Sequence, residues 1–249
     1  MDNKNNFSNK DVDWGKHYDY YEINFRENYN TISKPQNDSH FEMIKSNLKY
    51  YLNKNLVFAE IGFGSGLTLR YTSKYFKKIY GLDISPKNVE YTNKELIGEG
   101  ITNVECINFD MLKLNESFKN KFDVISFIHG LEHFSESDYP ILFENIKYYL
   151  TENGVFTGAL PNDLQFNYRM CPNCNNVFEL DGHLSRHTIG SLKNLFENNK
   201  FQIIHLDDFN TQYFLRYRGL IRTIYYLLRN QVLKKRLDHQ LEFIVKPIR

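Results

Sequence analysis

The segment Glu60-Ile61-Gly62-Phe63-Gly64-Ser65-Gly66 sets three glycines at alternating positions, directly after an apolar run and before a helical one. Glycine lets a chain turn sharply with positive φ and lets a ligand reach the main chain without meeting a Cβ. A tight strand-to-helix turn needs glycine on geometric grounds as well, so the loop alone is a weak signal. It gains weight from Asp83, which ends the next predicted strand about twenty residues on, where a carboxylate can accept hydrogen bonds from both hydroxyls of a ribose. Asp110 and Met111 end the third predicted strand, an acid and an apolar side chain placed where an adenine ring could lie. Three ligand-suited features thus fall at three successive strand ends, the edge at which open α/β sheets bind their ligands.

Two further groups could do chemistry. His129 and His133 flank Glu132 after the fourth predicted strand, and an imidazole titrating near neutrality suits removal of a proton from an acceptor. The competing reading makes both histidines structural, and Glu132 an acid favoured by a helix N-terminus. Downstream, Cys171-Pro172-Asn173-Cys174 with His183 and His187 forms a C-x2-C-x8-H-x3-H pattern. Two thiolates at that spacing can chelate a tetrahedral Zn2+ that imidazoles complete, which makes Cys171, Cys174, His183 and His187 candidate ligands of a structural zinc. Against this, the x8 gap is shorter than in ordinary zinc fingers, and His187 precedes Thr188, a suitable helix N-cap.

Apolar runs alternate with helical periodicity from Leu56 onward. Strands are predicted at 56–62, 79–84, 104–109, 122–128, 154–160, 201–206 and 241–245, with helices at 67–76, 86–97, 139–150 and 189–197. Such alternation predicts an α/β fold, a doubly wound, mostly parallel seven-stranded sheet with helices on both faces. Residues 1–52 read as a polar leader followed by aromatic helices, and 53–249 as the main domain. Into that domain are set an irregular Cys/His-containing insertion near 162–187 and a basic, aromatic helical insertion near 213–236. The basic face of the latter suits solvent, a membrane surface or an anionic substrate.

Net charge is +1, from 31 basic and 30 acidic residues, so no global field draws in a nucleic acid. Three cysteines cannot build a disulfide framework, and the first ten residues lack an apolar signal core, which makes a reducing cytoplasm the expected address. No apolar run reaches the roughly 20 residues of a membrane-spanning helix.

From Leu56 to Leu206 the chain resembles the class I, Rossmann-like S-adenosylmethionine-dependent methyltransferases. The resemblance implies that Glu60 holds the amino group of S-adenosyl-L-methionine, often through water, and that Gly62, Gly64 and Gly66 pass along its methionine portion. Asp83 and Ile84 would lie at the ribose, Asp110 and Met111 at the adenine, and Ile128 and His129 at the site of methyl transfer. Phe122 to Phe134, with Leu131-Glu132-His133, is similar to the small-molecule branch, and the Asn- or Asp-Pro-Pro-aromatic sequence of nucleic-acid amino methyltransferases is absent there. Gly182 to Thr188 is similar to a segment beside the acceptor pocket of such enzymes, which gives His183 and Arg186 a substrate-side role, with His187 where an aromatic residue is usual. Trp14, His17, Tyr18 and Tyr21 would belong to a lid. The implied activity is methyl transfer to a hydroxyl or amine of a small metabolite, extending to a sugar or surface-polymer precursor. Two rival readings are a binding or partner subunit without turnover, and a NAD-dependent oxidoreductase. Leu67 disfavours the latter, because it stands where the dinucleotide fingerprint has its third glycine.

Overall fold

The computed structural model describes residues 13–20, 48–173, 175–208 and 240–249. The apolar runs become strands because most of their residues are buried on both faces, as in β1 (Val57–Ile61) and β4 (Phe122–Ile128). With β2 (Lys78–Asp83), β3 (Val104–Asn108), β5 (Leu150–Pro161), β8 (Phe201–Asp208) and β9 (Gln240–Pro247), they form one seven-stranded sheet in the order β3-β2-β1-β4-β5-β9-β8. Pairs β3-β2, β2-β1, β1-β4 and β4-β5 are parallel, and β9 runs antiparallel to both neighbours. The chain winds outward from β1 to β3 and then returns to the other side of β1 at β4. That reversal opens a crevice at the carboxyl ends of β1 and β4, where doubly wound sheets bind ligands.

Helices cover both faces. Helices α3 (Tyr139–Tyr149) and α4 (Ile189–Asn198) lie on one face, burying Phe143, Tyr149 and Phe196 against Phe122, Phe156 and Phe243. On the other, α1 (Leu67–Thr72) and α2 (Pro86–Gly98) supply Leu69 and Leu96 to a cluster with Phe58, Phe76 and Ile79. The start of α2 is fixed as its sequence predicts, with Pro86 in the first turn and the Ser85 hydroxyl accepting from the Asn88 amide at 3.1 Å. Thr188 and Ser191 form a reciprocal capping box at α4.

The structure differs from the sequence-based expectation in three places. Helix α1 ends at Thr72 instead of running to residue 76, and the Tyr75 amide bonds back to the Thr72 carbonyl in a turn. Strand β5 starts at Leu150, directly out of α3. The stretch expected to be irregular contains a hairpin, β6 (Tyr168–Met170) and β7 (Val177–Glu179). The predicted leader, most of the lead-in helical region and the basic segment near 213–236 lie outside the described residues. Among the described residues no helix is long and apolar enough to cross a membrane.

Candidate functional site

Strand β1 delivers its glycines to the crevice in left-handed conformations, with φ of +60° at Gly62, +50° at Gly64 and +72° at Gly66. Gly66 is required twice over: it is the N-cap of α1, and a Cβ there would lie 2.6 Å from Thr92 Cγ2. The loop curls beside the end of β2, where Asp83 is held from three directions. Its Oδ2 accepts from the Gly64 amide at 3.3 Å and the Asn88 side-chain amide at 3.1 Å, and its Oδ1 from the Ser85 amide at 2.9 Å. Asn88, in the first turn of α2, carries no motif, and its role at the site was not foreseen from sequence.

Glu60 sits beneath this loop, 3% exposed, with Oε2 lacking a hydrogen-bond partner among the described residues. Burial holds its carboxyl well above the ordinary range; a hydrogen bond from Thr68 pulls the other way, and the charge of Asp83 adds to the rise. At the end of β3, Asp110 Oδ1 accepts from the Leu112 amide, and the buried Met111 offers its carbonyl to Asn145 Nδ2.

Gly62, Gly64, Asp83, Ile84, Asp110 and Met111 line one wall of a cavity of about 460 Å3, and His129, Glu132, His133 and His183 line it further along. Glu60, Gly66, Ile128, Arg186 and His187 are not in its lining. Ile128 packs on the core around Phe58, and Arg186 is exposed, its Nε 3.9 Å from Asp163 Oδ1. The unsatisfied Glu60 oxygen, the glycine cradle and the oriented Asp83 carboxylate fit the ammonium, amino-acid backbone and ribose of S-adenosylmethionine.

The histidine wall is built by the turn after β4. His129 takes φ +52°, donates its amide to the Ala159 carbonyl at 2.8 Å and lies with Nδ1 3.6 Å from Glu132 Oε1. The short 3-10 turn Leu131–His133 is stitched to the downstream segment. The Glu132 carbonyl accepts from the amides of Leu184 and Ser185, and His133 Nδ1 donates to the Gly182 carbonyl at 3.1 Å. Burial lowers the pKa of His133 against the opposing charge of Glu132. A neutral ring donating through Nδ1 leaves a lone pair on Nε2. Burial alone would raise the Glu132 carboxyl, but the neighbouring imidazoles, His129 first, outweigh it, and the net direction is down.

Trp14, His17 and Tyr18, on the helical segment 14–20, pack over the same wall. The Tyr18 ring meets His133 edge-on at 5.7 Å, and an added Cβ on Gly182 would lie 3.4 to 3.5 Å from all three aromatic side chains. Asp19 accepts from the Ser85 hydroxyl and the Lys87 amide, anchoring this segment to the start of α2. Tyr21 lies outside the described residues.

The expected zinc set is not assembled. Ligand atoms of Cys171, His183 and His187 do not come together within 4.8 Å, and Cys174 lies outside the described residues. His187 is buried, with Nε2 2.7 Å from the Tyr139 hydroxyl and 3.2 Å from that of Ser185, so its polar partners are in the core. His183 instead faces His133, ring centroids 5.0 Å apart.

A profile of the methyltransferase domain family matches residues 38–206, and the chain belongs to that family. Its fold is Rossmann-like, as in solved S-adenosylmethionine-dependent methyltransferases of similar structure. An uncharacterized protein of Methanocaldococcus jannaschii is 28% identical over 83 residues, a match spanning 33% of this chain and 31% of that protein's length. Among solved structures, the DhpI complex with S-adenosylhomocysteine superposes with a TM-score of 0.65 at 15% identity, covering 95% of this chain and 98% of that one. An S-adenosylmethionine-dependent methyltransferase from Clostridium acetobutylicum gives 0.61 at 14% identity, covering 93% and 99%. The [4+2]-cyclase SpnF shares the fold too, at 0.60 and 14% identity, covering 85% and 81%.

Proposed function

We propose that the chain transfers a methyl group from S-adenosylmethionine to a hydroxyl or amine of a small molecule. One observation carries this reading: a single cavity joins the nucleoside-suited wall at Gly62, Gly64, Asp83 and Asp110 to the ionisable wall at His129, Glu132, His133 and His183. Asp83 accepts from the ribose hydroxyls, Asp110 from the adenine amino group, and Glu60, buried behind the lining, receives the ammonium through water. When bound, S-adenosylmethionine supplies an electrophilic methyl whose departure leaves a neutral thioether, so no protein group has to stabilise a negative leaving group. The protein's contribution is alignment, exclusion of water and control of the acceptor's proton.

Alignment comes from the tethered Asp83 and the glycine cradle. Exclusion of water falls to the helical segment 14–20, which acts as a cover fastened at Ser85 and Lys87 and lying on Gly182 and His133. The proton is governed by the ionisable wall, where His133 Nε2 keeps an open lone pair and His129 sits beside Glu132.

The described lining also bears on the acceptor. It includes Asp83, Asp110, Glu132, Asp138 and Asp181 but no Lys or Arg, which favours a neutral polyol, such as a sugar of a surface-polymer precursor, or an amine over an anion. A phosphate on the acceptor would have to find its cations outside this lining.

The test incubates purified chain and labelled S-adenosylmethionine with a panel of polyols and amines, alongside Asp83→Ala. Labelled product from the parent and none from the variant is the expected result. If S-adenosylhomocysteine binds the folded variant as tightly as the parent, the reading fails. A parent that binds it but methylates nothing is a binding subunit instead.

A further inference from the structure

Glu132, His133 and His183 each bring one ligand atom to a common point, all within 4.8 Å of one another, at the acceptor end of the cavity. One of the three carries a polar atom that the described residues leave unsatisfied. Glu132 is 2% exposed and its Oε2 has no hydrogen-bond partner among the described residues, whereas His183 Nδ1 is turned toward Glu179. A buried carboxylate oxygen without a donor is costly, and natural folds keep such atoms where a ligand or ion satisfies them. The third group is already oriented as a ligand is. His133 donates Nδ1–H to the Gly182 carbonyl, which fixes the ring and turns the Nε2 lone pair outward, the arrangement that supports metal-bound histidines.

A neighbouring set, Glu179, Asp181 and His183, is equally close but differently committed. Glu179 Oε1 accepts from the Asn167 amide, and Oε2 from the amides of Asp181 and His183, so this carboxylate serves to fold the loop. It lies 3.7 Å from His183 Nδ1 and can orient that ring from behind. Of the two glutamates, Glu132, with one oxygen unsatisfied, lines the cavity and Glu179 does not.

We infer that Glu132, His133 and His183 form a binding site for a divalent first-row transition cation, which holds the acceptor's hydroxyl oxygen at the methyl-transfer position. Two imidazoles and a carboxylate favour such an ion over Mg2+ or Ca2+, whose sites are built from oxygen. Three protein ligands leave coordination positions open for acceptor oxygen, as in catalytic sites of this donor type. The bound hydroxyl loses its proton to His129 on the same wall, and the cation stabilises the alkoxide. The oxygen lone pair then forms the O–CH3 bond as the S–CH3 bond breaks, its electron pair staying on the neutral thioether, and the cation does not change oxidation state. The inference rests on the methyl-transfer reading for its use, but the binding site itself can be measured alone.

Full-length chain freed of metal with a chelator is titrated with Co2+ alone and with Mn2+ alone, by calorimetry and by the visible d–d absorption of Co2+. The variants are Glu132→Gln, His183→Gln and Cys171→Ser, each checked by circular dichroism and for S-adenosylhomocysteine binding. One Co2+ per chain is expected, with affinity about tenfold or more weaker in the first two variants, unchanged in Cys171→Ser, and nucleoside binding retained throughout. Should Glu132→Gln fail to fold, His183→Gln, which alters an irregular segment, decides. A parent that binds nucleoside but neither ion overturns the cation site while leaving the methyltransferase reading intact. So does ion binding that survives His183→Gln or disappears in Cys171→Ser.

Discussion

The Gly64 amide donates to Asp83 Oδ2 at 3.3 Å, a hydrogen bond that ties the loop after β1 to the end of β2 and holds the carboxylate before any ligand arrives. With the Asn88 and Ser85 donors added, every named partner of Asp83 is a donor. Asp83→Asn keeps the shape but turns an NH2 against one of those donors, and a buried donor left facing a donor costs about 1–3 kcal/mol. The variant is expected to melt lower than the parent and to bind S-adenosylhomocysteine at least about tenfold more weakly, since one acceptor for the ribose is lost. Calorimetry on the folded variant measures this, and parental affinity there would remove Asp83 from the ribose site.

Glu60 gives a pH dependence whose sign is fixed by its burial. Its folded pKa lies above its unfolded value, so between the two the folded state holds the extra proton and stability falls as pH rises. Glu60→Gln cannot ionise and should lose that decline, melting a few degrees above the parent at pH 8, where about 1 kcal/mol corresponds to roughly 2–4 °C. It should also bind S-adenosylhomocysteine more weakly. Binding to the parent, at a pH between the ordinary carboxyl value and the raised one, should release a proton as Glu60 ionises against the ammonium, seen as a dependence of binding enthalpy on the buffer. Identical enthalpies across buffers would argue that Glu60 does not meet the ammonium.

Gly130 and Phe127 share space at the turn that carries the histidine wall. A Cβ on Gly130 would fall 1.6 Å from Phe127 Cε2, and Phe127 is 3% exposed and packed edge-on against Phe134, so it cannot yield cheaply. Gly130→Ala is expected to destabilise the chain by about 1–3 kcal/mol through overpacking, with part of that recovered in Gly130→Ala/Phe127→Leu. Urea denaturation of both proteins checks it. A single variant as stable as the parent would show that the turn is free to shift.

The seven strands and the glycine loop were legible because their signals are local: apolar runs of strand length, punctuated by glycine and by Ser85-Pro86. The β6-β7 hairpin was not, since its strands have three residues each, all of Tyr168–Met170 is exposed, and an apolar core imposes no alternation on it. At the site, the spacing from Gly64 to Asp83 could be read because one lies in the loop after β1 and the other ends β2. The bond from His133 to Gly182 could not, because it joins residues 49 apart that only the fold brings together. The same gap between local pattern and remote partner misdirected the zinc expectation. Cys171 and Cys174 are near in sequence, whereas the partners of His187 and His183 are Tyr139 and His133, on or beside α3.

His187 supplies the remaining test. Burial holds its pKa below the ordinary imidazole value, so the unfolded chain takes up a proton that the folded chain refuses as pH drops below about 6.5. Stability should therefore fall from that pH downward to the folded pKa, and His187→Phe should lose this part of the acid sensitivity. Near pH 7.5 the variant gives up a hydrogen bond, but the Tyr139 hydroxyl still donates to the Leu131 carbonyl at 3.0 Å and Ser185 remains beside it, so the loss is held to about 1 kcal/mol. Melting curves from pH 5 to 8 compare the two proteins. Since His187 faces the core and not the cavity, Co2+ affinity should be the same in both, and a variant that lost the ion would restore His187 as a ligand.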